Sequence, residues 1–307
     1  KLDIQHFFYI GGNDSMDTIK QLSEYAKAKN ITDITFMGVP KTIDNDLAVT
    51  DHTPGYGSAA KYIASTMKEI IRDALVQPIK IVNIIEIMGR NAGWLTAASA
   101  LAKGDDCEGV DLIYLPETVF DINKFVAKVQ EIQKTKKQIV VAVSEGVKTA
   151  DGKYVCESAS SNMLVDSFGH KQLSGTASAL ANVISNEIGC KTRAIEFSTI
   201  QRCASHIASL TDVNEAFIVG GIAVKAAFDG ETGKVGIFQR LSNKPYLMGT
   251  SIYDVNAIAN VEKTVPQEWI INDGTGVSQE ALDYMRPLIQ GEIYPYMVDG
   301  LPRHIKL

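Results

Sequence analysis

Seven consecutive residues, Pro40-Lys41-Thr42-Ile43-Asp44-Asn45-Asp46, set two carboxylates two positions apart, beside a lysine and a hydroxyl. In an extended chain, positions i and i+2 project to the same side, so Asp44 and Asp46 are expected to face one point. There one carboxylate can act as general base while the other holds or orients a metal ion. Lys41 adds a mobile positive charge for a phosphate group. The plainer reading is a polar loop in which Asp-Asn caps a turn. A second segment, Gly11-Gly12-Asn13-Asp14-Ser15, lies between an apolar run and a helix-forming stretch. Paired glycines let the backbone approach a phosphate, and the helix N-terminus that follows favours an anion. A turn that merely joins two elements would look the same. A third segment is Met88-Gly89-Arg90-Asn91-Ala92-Gly93-Trp94. Arg90 is placed there for two-pronged contact with a phosphate. As a bystander it would be a cation at a helix start, which the helix dipole disfavours.

These segments follow apolar runs at 7–10, 34–39 and 79–88, and further runs occupy 110–115 and 138–143. Helical spacing covers 17–28, 58–75, 91–102 and 125–133. Strand and helix in alternation predict an α/β fold with a parallel sheet, and such sheets place ligands beyond the carboxyl ends of their strands. The rhythm changes near Glu145. A polar stretch at 148–162 precedes a helix at 176–188, a strand at 192–197 and a helix at 213–228. Asp229-Gly230-Glu231-Thr232-Gly233 signals a hairpin or turn, and a late helix covers 277–288. The expected division is a donor and catalytic lobe over 1–145, a second lobe over 146–260, and a segment, 261–307, that returns to the first.

Of the 307 residues, 45% are hydrophobic and 21% charged, enough for a substantial core. A net charge of −6 excludes a broad nucleic-acid surface. No apolar run is long enough to span a bilayer, and the opening residues lack the apolar stretch of a signal peptide. Cys107, Cys156, Cys190 and Cys203 are widely spaced, which argues against a zinc site or disulfide framework and fits a reducing cytoplasm; they read as small core residues. His6, His52, His206 and His304 lack ligand spacing. His170 reads as a structural loop histidine, and the lysines at 134–137 as a solvated turn. Tyr284 and Arg286, near a helix end, suit either the sugar site or a solvent-facing end.

Taken together, the sequence resembles the phosphofructokinase family along nearly its whole length. The resemblance rests on Pro-Lys-Thr-Ile-Asp-Asn-Asp, Met-Gly-Arg followed by Ala92-Gly93-Trp94-Leu95, Val143-Ser144-Glu145-Gly146 and Ile200-Gln201-Arg202, in the family's order and approximate spacing. It implies two Rossmann-like lobes with mainly parallel sheets and an active site in the cleft between them. It implies Asp44 as the base for the 1-hydroxyl of fructose 6-phosphate, with Thr42 and Asp46 beside it. Met88, Gly89 and Arg90 would grip the sugar phosphate, Glu145 its hydroxyls, and Arg193 and Arg202 the 6-phosphate. Arg193 would come from a neighbouring subunit, hence a homodimer or homotetramer. Mg²⁺ is the implied cofactor, with Asn13 and Asp46 as candidate ligands and Gly11 to Ser15 as the donor loop.

Two positions resemble the pyrophosphate-using type. Asp14 stands where ATP users carry glycine, and its charge would repel a nucleotide's α-phosphate. Lys41 would hold the reacting or leaving phosphate. Asn13, where the family has an aspartate, and Thr199, where it has histidine or tyrosine beside the 6-phosphate, depart from the pattern. The family also opens with a further strand and glycine-rich loop upstream of residue 1, so the resemblance implies that this chain alone is inactive or unstable without that piece. An ATP-dependent relative, a lipid or NAD kinase sharing the Gly-Gly turn, and a non-catalytic sugar-phosphate-binding subunit are the alternatives. The kinases lack Met-Gly-Arg and Ile-Gln-Arg, and a binding subunit would not need Asp44.

Overall fold

A computed structural model describes residues 3–158 and 173–306. Its elements are β1 (His6–Gly11), α1 (Asn13–Ala28), β2 (Thr35–Pro40), α2 (Tyr56–Leu75), β3 (Ile81–Ile87), α3 (Trp94–Ala98), β4 (Leu112–Tyr114), α4 (Ile122–Ile132), β5 (Gln138–Ser144), α5 (Thr176–Ile188), β6 (Lys191–Glu196), α6 (Leu210–Phe228), β7 (Lys234–Asn243), β8 (Tyr246–Asp254) and α7 (Gln279–Met285). They form two compact units, Lys1–Ala59 with Ser205–Lys263 and Arg286–Leu307, and Ala60–Ala204 with Thr264–Met285.

The first unit is built on a sheet of order β1-β2-β7-β8, with β1, β2 and β7 parallel and β8 antiparallel. Alternation along the strands divides its apolar side chains between two faces. Phe7 and Phe36 join the core of Met16 and Ile19 from α1, whereas Phe8 and Met37 join Ala226 and Ala227 from α6. The second unit has an all-parallel sheet of order β4-β5-β3-β6. All seven residues of β3 are buried, as expected for a central parallel strand covered on both faces. Phe125 and Val129 of α4 and Leu180 and Ile184 of α5 pack with Val82, Ile84, Ile139 and Val141.

The α/β class and mainly parallel sheets are as expected, but the divisions at 145 and 260 are not where the compact units part. The described part of the polar stretch, 148–158, belongs to the second unit, whose sheet pairs β3 with β5 on one side and with β6 on the other. The 261–307 segment is shared. Trp269 and Tyr284 pack on Trp94, with ring centroids 6.0 and 5.3 Å away, which ties α7 to the second unit. Asp229 to Gly233 turns α6 into β7; the hairpin itself closes at Lys244-Pro245, joining β7 to β8. Among the described residues no helix is long and apolar enough to cross a membrane.

Candidate active site

In the first unit the Gly11–Ser15 turn and the Lys41 segment meet because β1 and β2 are parallel neighbours in register, Gly11 opposite Pro40. The Lys41 N–H donates to the Gly11 carbonyl at 3.0 Å. A Cβ at Gly11 would collide with the Ser15 side chain, so glycine is required there for α1 to start so close to the strand. Gly12 is the N-cap of α1 and has no side-chain cap, which leaves backbone N–H groups free for an anion. Asp14 and Lys41 are both exposed beside this turn.

Residues 42–46 are not extended. The chain turns at Ile43-Asp44, and Asn45 takes a left-handed φ of 54°, a conformation asparagine tolerates. The buried Asn45 amide is the cause. Its Oδ1 accepts the Thr53 N–H at 3.1 Å and the Lys263 ammonium at 3.4 Å. The turn is fastened further by Thr53 Oγ1 donating to the Thr42 carbonyl at 2.7 Å and the Thr42 N–H donating to the Pro54 carbonyl at 3.1 Å. Within it the Asp44 N–H donates to Thr42 Oγ1 at 3.1 Å. The two carboxylates still sense each other. Burial, then the Asp44 charge, pushes the Asp46 carboxyl up to about 6.

Asp46 Oδ1 is buried with no hydrogen-bond partner among the described residues. An orphaned hard oxygen beside a second carboxylate fits Mg²⁺, which takes one or two carboxylates and completes its shell with water and substrate phosphates. Among the described residues no group of three His, Cys, Asp or Glu could hold a metal by itself. Asn13 does not fit the role proposed for it. Its Oδ1 accepts the Asn260 N–H at 2.6 Å and its Nδ2 donates to the Val261 carbonyl at 3.3 Å, so the amide is used to tether a loop.

The second unit holds a cavity of about 220 Å³ beyond the carboxyl ends of β3, β5 and β6, lined by Met88, Arg90, Glu145, Glu196, Thr199 and Arg202 among others. Two arginines and two carboxylates on one cavity match a ligand with an anionic group and several hydroxyls. Gly89 supports this wall with a φ of 144°, where a Cβ would stand 2.6 Å from the Ala92 carbonyl oxygen. Its N–H donates to Glu145 Oε1 at 3.4 Å, and Ser144 Oγ donates to its carbonyl. Arg90 is not at a helix start: α3 begins four residues later, at Trp94, so the dipole argument does not apply. Arg193 lies outside the cavity. It sits on β6, and its guanidinium pairs with Asp73 at 2.9 Å on an exposed surface.

Several contributors were given no site role by the sequence, Gln201 appearing there only within the Ile-Gln-Arg motif. Gln201, 2% exposed, accepts the Met88 N–H on Oε1 at 3.2 Å and donates to the Ser198 carbonyl. Glu117 accepts the Gly93 and Val265 N–H groups at 2.8 and 2.9 Å, and burial holds its carboxyl above the usual range. Lys263 and Glu196 are the others. Cys203 is exposed and only Cys156 is buried, so the cysteines are not uniformly core residues; all four are free. His170 lies outside the described residues.

A phosphate-ready helix start beside paired carboxylates in one unit, and an arginine-and-carboxylate cavity in the other, define a sugar-phosphate phosphotransferase class of protein. The phosphofructokinase family profile matches residues 1–203, and the chain belongs to that family. It is 42% identical over 308 residues to the pyrophosphate–fructose 6-phosphate 1-phosphotransferase of Xanthomonas campestris pv. campestris, covering 99% of this chain and 73% of the relative. The enzyme of the same name from Halomonas elongata is 39% identical over 307 residues, at 99% and 72%. The crystal structure of the pyrophosphate-dependent phosphofructokinase from Nitrosospira multiformis superposes with a TM-score of 0.87 at 37% identity, over 98% of this chain and 72% of that one.

Proposed function

We propose that this protein transfers a phosphoryl group from pyrophosphate to the 1-hydroxyl of fructose 6-phosphate, giving fructose 1,6-bisphosphate and phosphate. The observation that carries this reading is the Thr42–Asp46 turn, which holds Asp44 and Asp46 beside Lys41 and the uncapped start of α1. Asp44 takes the proton of the sugar's 1-hydroxyl as that oxygen attacks phosphorus. The bridging P–O bond breaks, and Lys41 neutralises the departing phosphate. Asp46 would hold Mg²⁺, which when bound offsets charge on the phosphate oxygens. Arg90 and Arg202 hold the 6-phosphate, Met88 and Gly89 border it, Glu145 accepts sugar hydroxyls, and Thr199 donates from the cavity rim. Most of the rate enhancement in such a reaction comes from positioning and charge stabilisation. Arg193, exposed on its own chain, would serve the cavity of a second copy in a homodimer or homotetramer.

Asp14 selects the donor. A carboxylate in the first turn of α1 satisfies the helix dipole and repels a nucleotide's α-phosphate, while pyrophosphate is short enough to avoid it. The test is to incubate the protein, carrying the upstream strand and glycine-rich loop that the family resemblance implies, with fructose 6-phosphate and Mg²⁺ and add pyrophosphate or ATP in parallel, then assay fructose 1,6-bisphosphate. Product with pyrophosphate alone is expected. Product with ATP alone overturns the donor assignment, and product with neither overturns the reaction. In Asp14→Gly the exclusion of ATP should relax; if ATP stays unused, Asp14 is not the sole gate.

A further inference from the structure

The Thr42–Asp46 turn hangs on Thr53 and Pro54, and residues 50–55 are themselves gripped from two elements of the same unit. From β7, the Asp51 N–H donates to the Phe238 carbonyl and the Phe238 N–H donates to Thr50 Oγ1, both at 3.0 Å. Arg240 donates to the Asp51 carboxylate from Nε at 3.1 Å and from a terminal nitrogen at 2.8 Å. From α6, Asp212 accepts the Gly55 N–H at 2.8 Å. At the centre lies His52, 1% exposed, with its ring stacked on Phe238 at 4.6 Å. Nδ1 is 2.8 Å from Asp51 Oδ1, and Nε2 is 2.8 Å from Glu215 Oε2. The other Glu215 oxygen accepts the Tyr246 hydroxyl at 2.7 Å. Lys263 donates to the Thr50 and Asp51 carbonyls at 3.1 and 2.7 Å.

A neutral imidazole has one donor and one acceptor nitrogen. Here both nitrogens face carboxylate oxygens, which accept only, so the arrangement needs a ring that donates twice. Burial opposes that charge, but the hydrogen bonds it donates to Asp51 and Glu215 outweigh it and hold the imidazolium above its usual range. Burial likewise opposes ionised Asp51, and His52 with Arg240 holds that carboxyl below its usual range. The clamp therefore joins α6, β7 and the loop with charges of both signs, with His52 at its centre.

We propose that His52 is a positioning residue for phosphoryl transfer: donating to Asp51 and Glu215 at once, it fixes the 50–55 segment from which the Asp44-bearing turn hangs. The proposal rests on the phosphoryl-transfer reading of that turn. Displacing a reacting group by about 1 Å can cost on the order of a hundredfold in rate. Substituting His52 should therefore lower kcat and leave fructose 6-phosphate binding, which depends on other residues, largely as it was.

The experiment compares wild type, His52→Gln and Glu215→Gln in the pyrophosphate assay and records ¹⁵N spectra of histidine-labelled protein. Glutamine cannot donate in both directions at once, so H52Q should lose about 10- to 100-fold in kcat with KM for fructose 6-phosphate within about threefold. In wild type at pH 7.5 both His52 nitrogens should carry protons. In E215Q the amide can donate to a bare nitrogen, so the ring should become neutral at that pH, and kcat should fall less than in H52Q. A folded H52Q with kcat within about twofold of wild type overturns the proposal. So does a neutral His52 in wild type. If H52Q does not fold, E215Q decides, and an unchanged ring charge there overturns it. A wild type that turns over with neither donor overturns the functional reading itself, an outcome separate from an active wild type matched by H52Q.

Discussion

Lys263 donates its backbone N–H to the Asp46 carbonyl at 2.7 Å while its ammonium reaches Asn45 Oδ1 and the carbonyls of Thr50 and Asp51. One side chain thus ties together both ends of the loop that carries Asp44. Burial brings its ammonium down to about 8, against the opposing pull of Asp51 and Asp46. Between about 8 and 10.5 the unfolded chain holds this proton and the folded chain does not, so stability rises with pH across that window. Lys263→Met removes that rise. It also strips a donor from two buried carbonyls, at about 1–3 kcal/mol each, offset in part by removing a buried charge. Urea unfolding at pH 7.5 and 9.5 should show K263M less stable than wild type at both, by a larger margin at 9.5.

Asp44→Ser tests the base. The substitution removes the proton acceptor but keeps a small polar group on the turn. Turnover should fall by about 10²- to 10⁴-fold, with fructose 6-phosphate binding by calorimetry largely kept, since we assign that binding to residues such as Arg90 and Arg202. Unchanged turnover would sink the catalytic assignment, whatever the binding.

The strands β1 to β6, the helices and the motif-bearing segments were legible because hydrophobic period and glycine placement are local signals, whereas β7 and β8 were not read as strands. Two errors have specific physical causes. The i, i+2 rule failed at Asp44 and Asp46 because a buried Asn45, held by Thr53 and by Lys263 from 218 residues away, imposes a left-handed turn. The unit boundary failed because sheet order is non-local: β3 pairs with β6, about a hundred residues later. The cavity arginines, Arg90 and Arg202, announce themselves by type. Glu117, His52 and Lys263 do not, because each acts by satisfying groups far away in the sequence, and a single sequence carries no trace of such pairings.

Gln201→Leu tests the wall of the sugar-phosphate cavity. The variant keeps the volume but leaves the Met88 N–H without its acceptor and the Ser198 carbonyl without its donor. Both flank residues that line the cavity. The KM for fructose 6-phosphate should rise about tenfold, or about 1.4 kcal/mol, with kcat changed much less. A variant that lost kcat at constant KM would place Gln201 in the transfer step instead.

Glu86, 4% exposed on β3, caps α5 by accepting the Ala177 N–H at 2.9 Å. Burial pushes its carboxyl up to about 7; the N–H groups at the start of α5 pull against this, and Glu196 adds to it. An acid whose folded value lies above its unfolded value of 4.5 gives full stability below 4.5. That stability is lost as pH rises from 4.5 to about 7, because over that range the unfolded chain has released the proton and the folded chain still holds it. The loss is on the order of 3 kcal/mol, at about 1.4 kcal/mol per unit. Glu86→Gln keeps an acceptor for Ala177 and removes the titration. Denaturant unfolding should therefore show E86Q close to wild type at pH 5 and more stable than it at pH 8. Equal stabilities at pH 8 would mean that the cap recovers the whole cost of the charge, so that the N-terminus of α5 holds an ionised Glu86 as well as it holds a neutral one.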